Sequence, residues 1–190
     1  MEFEGDVFMK INGNMDKFYY YAFPMQAALV TCNDEKGKTN VITIAWHTPI
    51  SKDPPLYGIS LAPKRYSHGL IEKTKEFVVN FVPYKLVEKL HFCGTHSGRN
   101  TDKICETRLT LAASKKVEVP LIKECYAHLE CKLAEILSVG DHTFFIGEVI
   151  NIQADENAFK NGLLENEWVQ PTYYIGGDTY TTIVNTRVKL

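Results

Sequence analysis

Two apolar runs rich in β-branched residues, set apart by a short stretch of turn formers, put the first limit on this chain. Gln26 to Asn33 reads QAALVTCN, and Thr39 to His47 reads TNVITIAWH. Between them, Asn33-Asp34-Glu35-Lys36-Gly37 is a turn by composition. β-Branched side chains suit a pleated, half-buried surface, so the pair reads as a hairpin with a longer-than-minimal loop. A Pro-bearing loop, Thr48 to Pro55, leads to a strand at Leu56 to Leu61. Later strand runs are Phe77 to Val82, stopped by Pro83, then Thr143 to Gln153, and a last short one within Pro171 to Gly177. In Thr143 to Gln153, the side chains of Phe144, Ile146, Ile150 and Ile152 are expected on one face.

Two stretches between the strands read as helices. Ser67 is placed to cap a helix over His68 to Lys75, with Leu70 and Ile71 facing inward. Lys85 to Phe92 puts Leu86, Val87 and Leu90 on one face, and Gly94 is placed to end it. Tyr126 to Val139 fits both periods. His128, Glu130 and Lys132 alternate with Leu129, Cys131 and Leu133, while Leu129, Leu133, Ile136 and Leu137 also fit a helix face. Residues 1–18 read as a frayed arm or short edge strand, followed by the aromatic cluster Tyr19-Tyr20-Tyr21-Ala22-Phe23-Pro24. Residues 155–170 read as loop. Short strands joined by turns, with two or three helices between, give a mainly β, mostly antiparallel barrel with peripheral helices. The strict strand–helix alternation of a doubly wound sheet is absent, and so are GxGxxG and GxxxxGK[ST]. A nicotinamide cofactor, if used, binds without a Rossmann domain.

The length suits one domain, 1–190. With 23 acidic residues against 21 Lys and Arg, the chain lacks the bulk positive charge of a nucleic-acid binder. Met1 to Asp6 is acidic and unlike a signal peptide. No apolar run reaches membrane-spanning length. The five cysteines are odd in number and form no CxxC, which argues for a reduced, cytoplasmic setting and for buried, apolar roles. Histidines and cysteines are scattered without zinc-ligand spacing, so no metal site is expected.

Candidate functional residues gather in Ala62-Pro63-Lys64-Arg65-Tyr66-Ser67-His68-Gly69, a cationic loop that opens a helix. Such a loop suits an anion, through Arg, a hydroxyl and free backbone N–H groups. Thr95 to Lys103, THSGRNTDK, is a second polar, turn-rich loop and ends on another cation. Ser67 serves equally as helix cap or phosphate donor, and Trp46 as core aromatic or ligand wall.

These pieces form an ordered set: Thr39-Asn40-Val41-Ile42-Thr43-Ile44-Ala45-Trp46, Asp53-Pro54-Pro55-Leu56, Arg65-Tyr66-Ser67-His68, Cys93-Gly94-Thr95, Ser97-Gly98-Arg99, Asp102-Lys103 and Val139-Gly140-Asp141-His142. Over roughly residues 20 to 180 the chain resembles the flavin reductase-like family, FMN-binding split-barrel proteins that include flavoredoxins. The resemblance implies a six-stranded antiparallel, Greek-key-like split barrel, and a strand at Tyr126 to Val139 with a bulge near Ala134. It implies a homodimer with the flavin near the subunit interface. Its cofactor-binding set maps to Asn40, Thr43, Ile44, Ala45, Trp46, Ala62, Arg65, Tyr66, Ser67, Ser97, Gly98, Lys103 and Tyr174, with Tyr173 the other choice at the last position. Which of Arg65 and Lys103 meets the phosphate stays open. His142, the candidate catalytic residue, is implied near the flavin face where an electron donor docks, as a hydrogen-bond donor. The implied activity is FMN-dependent oxidoreduction, with NADH or NADPH as donor. The alternatives are a flavoredoxin-type carrier with a redox-protein partner and a non-redox ligand-binding barrel.

Overall fold

The computed structural model describes residues 10–184. In chain order its strands are β1 (Met25–Gln26), β2 (Ala28–Asn33), β3 (Thr39–Ile44), β4 (His47–Lys52), β5 (Pro55–Leu61), β6 (Glu76–Phe81), β7 (Leu111–Ala112), β8 (Leu121–Ile122), β9 (Ala127–Val139), β10 (His142–Ala154), β11 (Phe159–Lys160), β12 (Leu163–Leu164), β13 (Tyr173–Gly176) and β14 (Thr179–Thr181). The α-helices are α1 (Tyr66–Thr74), α2 (Val87–Thr95) and α3 (Lys103–Thr107). Seven strands form the main sheet in the order β3-β2-β6-β9-β10-β5-β4, and every pair in it is antiparallel. The sheet does not close, since β3 and β4 remain its edges. This is a split barrel, as expected, with one strand more in its main sheet.

The extra strand is β4, which overturns the loop expected over Thr48 to Pro55. Proline supplies no ladder N–H, which confines it to edges and bulges. Pro49 lies on an edge strand beside the register shift between Pro49 and Ser51.

β2 is buried at all six positions because both its faces are covered. Ala28, Val30 and Cys32 join Ile42, Ile59, Phe77, Val79 and Phe145 in the larger core, with Leu70 and Ile71 of α1 packed into it. Leu29 and Val41 pack on the other face with Leu90 and Cys93 of α2. Each buried Val, Leu, Ile or Phe among them contributes roughly 1.5–3 kcal/mol. Cys32, Cys93, Cys125 and Cys131 are buried, Cys105 is exposed, and all are free thiols.

β9 is a strand throughout, and its extra residue is Ala134: Ile146 pairs with Glu135, while Gly147 pairs with Leu133. β10 carries a second irregularity. Val149 pairs with Cys131 and Asn151 with Glu130, leaving Ile150 between them. That offset breaks the single face expected for Phe144, Ile146, Ile150 and Ile152. Phe145, not Phe144, enters the core, and Ile152 is exposed.

Five smaller expectations also change. Arg65, not Ser67, occupies the cap position of α1, and Ser67 lies buried inside the first turn. Gly94 lies within α2, which runs on to Thr95. A side chain there would bring a Cβ to 3.1 Å from Thr43, so the small residue lets α2 lie close on β3. Met15–Ala22 is a 3-10 helix rather than arm or edge strand, and residues 1–9 of that stretch lie outside the described residues. β14 follows the strand expected to be last, and 155–170 contains the small β11–β12 hairpin. Among the described residues, no helix is long and apolar enough to cross a membrane.

Candidate functional site

A groove of three adjoining cavities runs along one side of β3. The middle cavity, ≈ 220 Å³, is walled by Asn40, Arg65, Tyr66, Ser67, Gly98 and Lys103 among others, and no carboxylate lines it. Arg65, Gly94 and Thr95 also border a wider cavity of ≈ 410 Å³, sided by Thr43, Ala45, His91, Tyr174 and Tyr180. At the opposite end, Asn40, Tyr66, Gly98 and Lys103 border a third cavity of ≈ 180 Å³.

Local structure explains how the middle cavity forms. The turn closed by Arg65 N–H donating to the Ala62 carbonyl (3.0 Å) swings the chain from β5 into α1. Arg65 is thereby left exposed at the rim. The first turn of α1 places Ser67 against β3, where its hydroxyl accepts a hydrogen bond from Asn40 Nδ2 (2.7 Å). Facing them, the loop after α2 passes so close to Asn40 that a Cβ on Gly98 would lie 2.0 Å from Asn40 Oδ1. Only glycine fits that crossing. Behind this layer the Cys32 thiol is pushed up to about 11 by burial, against hydrogen bonds from Ser67 and Asn40. It is an uncharged floor.

Lys103 closes the cavity. It opens α3, is 5% exposed, and donates from Nζ to the Cys93 carbonyl at 3.0 Å. Among the described residues no carboxylate lies within ion-pair distance of it. Burial pulls its ammonium below the ordinary lysine range; the Cys93 and Cys32 thiols oppose this, and Arg65 adds to it. A buried ammonium without a counter-charge is costly unless an anion arrives to pair with it.

The wide cavity has flatter, more aromatic sides. Tyr174 packs edge-on against Phe23 and lies 5.3 Å from Tyr180, ring centre to ring centre. Tyr180 OH and His91 Nδ1 are 3.3 Å apart, and burial raises the Tyr180 phenol to about 12. Thr43 donates to the Leu90 carbonyl, which turns its hydroxyl toward α2.

The structure therefore brings Asn40, Arg65, Tyr66, Ser67, Ser97, Gly98 and Lys103 around the middle cavity. Thr43, Ile44, Ala45 and Tyr174 border the wide one. Ala62, Trp46 and His142 line none of the three. Trp46 turns toward the start of β10, its ring 4.9 Å from His142 and 5.6 Å from Tyr19. His142 is held by the Asp141 carboxylate at 2.7 Å. Sequence reasoning missed His91, Asp178 and Tyr180, and it quoted Gly94 and Thr95 in the family pattern without placing them in the cofactor-binding set. His91 and Thr95 are four apart on α2, a helix-face signal that could have found them. Nothing local marks Tyr180.

Fold and groove together define a split-barrel protein whose groove suits an elongated, anionic ligand. The chain belongs to the flavin reductase like domain family, whose model matches residues 20–182. An uncharacterised protein of Archaeoglobus fulgidus is 37% identical over 162 residues, covering 85% of this chain and 90% of that one. Among solved structures, a flavoredoxin from Methanosarcina acetivorans matches with TM-score 0.84 at 28% identity, covering 95% of each chain. An FMN-binding protein from Thermus thermophilus, with bound 1-cyclohex-2-enone, gives 0.83 at 29% identity over 96% of this chain and 98% of that one.

Proposed function

We propose that the groove holds FMN and that the protein is a flavin-dependent oxidoreductase, taking hydride from NAD(P)H and passing electrons to an acceptor. The observation that carries this reading is Lys103, a buried cation with no carboxylate partner among the described residues, on the wall of a cavity that no described acid lines. A phosphate supplies the missing charge. Lys103 meets it as a point charge, Ser67 as a hydroxyl donor and Arg65 from the rim with its planar fork. Arg65 also borders the wide cavity, so one residue reaches both ends of the cofactor. Tyr174, Tyr180 and the Thr43–Ala45 backbone take the flat ring. FMN, when bound, supplies a hydride acceptor and releases electrons singly or in pairs. The chain contributes orientation, partial exclusion of water and fixed donors beside the ring. His142, steadied by Asp141 and tilted against the Trp46 ring, is the donor-side residue in this reading, and the working unit is a homodimer.

A second reading, an electron carrier reduced by a protein partner, is favoured by likeness to flavoredoxins. Besides the Methanosarcina protein, that of Desulfovibrio vulgaris is 25% identical with TM-score 0.80. Mixing the FMN-loaded protein anaerobically with NADH, then NADPH, and following absorbance near ~450 nm, a property of the flavin, separates the two. Rapid bleaching identifies a reductase and its donor. Bound FMN that stays oxidised identifies the carrier. A chain that takes up no FMN is a non-redox barrel, and the proposal fails.

A further inference from the structure

His47 lines none of the three cavities, yet it joins the parts that make one of their walls. β4 is an edge of the main sheet. β1 is an edge of a three-stranded sheet, β1-β13-β14, whose Tyr174 and Tyr180 side the wide cavity. His47 is the first residue of β4, and its half-buried ring bridges the two edges. Nε2 lies 2.8 Å from the Gln26 carbonyl of β1, and Nδ1 lies 2.6 Å from the Tyr57 hydroxyl of β5. A carbonyl only accepts, so Nε2 carries the proton. In the neutral ring Nδ1 is then bare and accepts from Tyr57, which is buried.

Gln26 passes the restraint on. Its side-chain Nε2 donates to the Tyr126 hydroxyl at 2.6 Å, its backbone pairs with Tyr173 of β13, and its neighbour Met25 pairs with Tyr174. Ala27 N–H donating to the Thr172 carbonyl (2.9 Å) and Thr172 N–H to the Val82 carbonyl (3.1 Å) hold the start of β13. His47 holds the β1 side. A proton on His47 would turn Nδ1 into a donor and leave the buried Tyr57 O–H without this acceptor, a costly state. The groups facing the ring do not compensate. They are the Gln26 carbonyl from β1, the Tyr57 phenol from β5, the Phe81 ring of β6 at 6.2 Å and, one hydrogen bond further, the Tyr126 phenol just before β9. Among the described residues His47 makes no ion pair. Burial lowers its pKa, against the Gln26 carbonyl, which raises it. We infer that neutral His47 is a positioning residue that clasps the two sheets at the split of the barrel, sets the Tyr174–Tyr180 wall of the wide cavity, and lets go in acid. Its bearing on a bound ring rests on the flavin reading of that cavity.

The parent is compared with His47→Gln, whose amide still donates to the Gln26 carbonyl but gains no proton, and with His47→Leu, which cannot donate, all as full chains. Hydrogen exchange over β13 and β14, with β2 as reference, is read by mass spectrometry on flavin-free protein, and FMN affinity by fluorescence. Both run from about pH 7.5 to about pH 4.5, a range that spans histidine titration. Near the upper limit His47→Gln should bind FMN within about twofold of the parent, and His47→Leu roughly fivefold or more weakly, the size of one hydrogen bond. Toward the lower limit the parent should lose roughly fivefold or more relative to His47→Gln. The FMN phosphate and His128 titrate in all three and cancel from that ratio. Protection of β13 and β14 should fall in the parent with the same midpoint and hold in His47→Gln. A ratio between parent and His47→Gln that stays flat with pH, His47→Gln as weak as His47→Leu, or His47→Leu as tight as the parent overturns the role. If His47→Leu does not fold, the ratio decides alone. If no chain binds FMN, the flavin reading fails separately and exchange decides: acid-labile protection in the parent but not in His47→Gln upholds the clasp, and equal behaviour overturns it.

Discussion

At the scale of single residues, the groove depends on one cation and one missing side chain. Lys103→Ala removes a charge-assisted bond of about 1.5–3 kcal/mol. FMN affinity is therefore expected to fall by roughly ten- to a hundredfold in equilibrium titration. The same change relieves an unpaired buried ammonium, so the flavin-free variant should melt no more than about 4 °C below the parent. A collapse in melting temperature would make Lys103 a structural residue instead. The parent's affinity should also decline as pH rises through the depressed ammonium pKa, because only the protonated form attracts phosphate. Lys103→Ala should lack this dependence, which separates it from the titration of the buried thiols. Gly98→Ala probes the opposite wall. Its Cβ would meet Asn40 Oδ1 at 2.0 Å, displacing the amide that holds Ser67. FMN binding should weaken at least tenfold while the far-ultraviolet circular dichroism stays that of the parent, and unchanged affinity would remove Asn40 and Ser67 from the site.

At the scale of elements, β9 is pinned to β6 by a buried polar junction. Asn80 Oδ1 accepts from Ile122 N–H and faces His128 Nδ1, each at 2.9 Å. Burial pushes the His128 imidazole down to about 4. Between that value and its ordinary 6.5 the unfolded chain binds a proton that the folded chain refuses, so stability is lost as pH falls through this window. At 1.36 kcal/mol per pH unit this amounts to about 3 kcal/mol. Urea melts at pH 6.5 and 4 should differ by that order, and His128→Gln should flatten the difference; an equally steep variant would exonerate His128. Much of this layer was legible in the sequence. β2 and β3 announce themselves through β-branched runs and a turn, whereas β9 fits both periods, and its strand with a bulge near Ala134 came through the family resemblance. β4 was hidden because Pro49 and its neighbours carry loop composition while lying on an edge, where proline costs little. The face of β10 was misread because a bulge at Ile150 leaves no compositional mark. In the site, Lys103 and Arg65 stood out by charge and context. Tyr180 joins the wall only through the pairing of β13 with β14, a long-range fact that no local pattern encodes.

At the scale of the whole molecule, the open side of the barrel matters. β9 leaves β6 after Lys132, so its outer half is paired only with β10. Leu137 and Val139 on that half are exposed, at 40% and 63%. A homodimer is the expected assembly, and Leu137→Asp should weaken it at least tenfold in light scattering at graded concentration. A monomeric parent would refute this. The lone ammonium of Lys103 then acquires a meaning beyond binding. A fold that leaves one charge uncompensated until its cofactor arrives ties its own lifetime to supply. With free flavin at a hundred times the dissociation constant, occupancy adds about 2.7 kcal/mol to folding. Cells rich in flavin would keep the protein, and starved cells would lose it to proteolysis, with no regulator other than mass action.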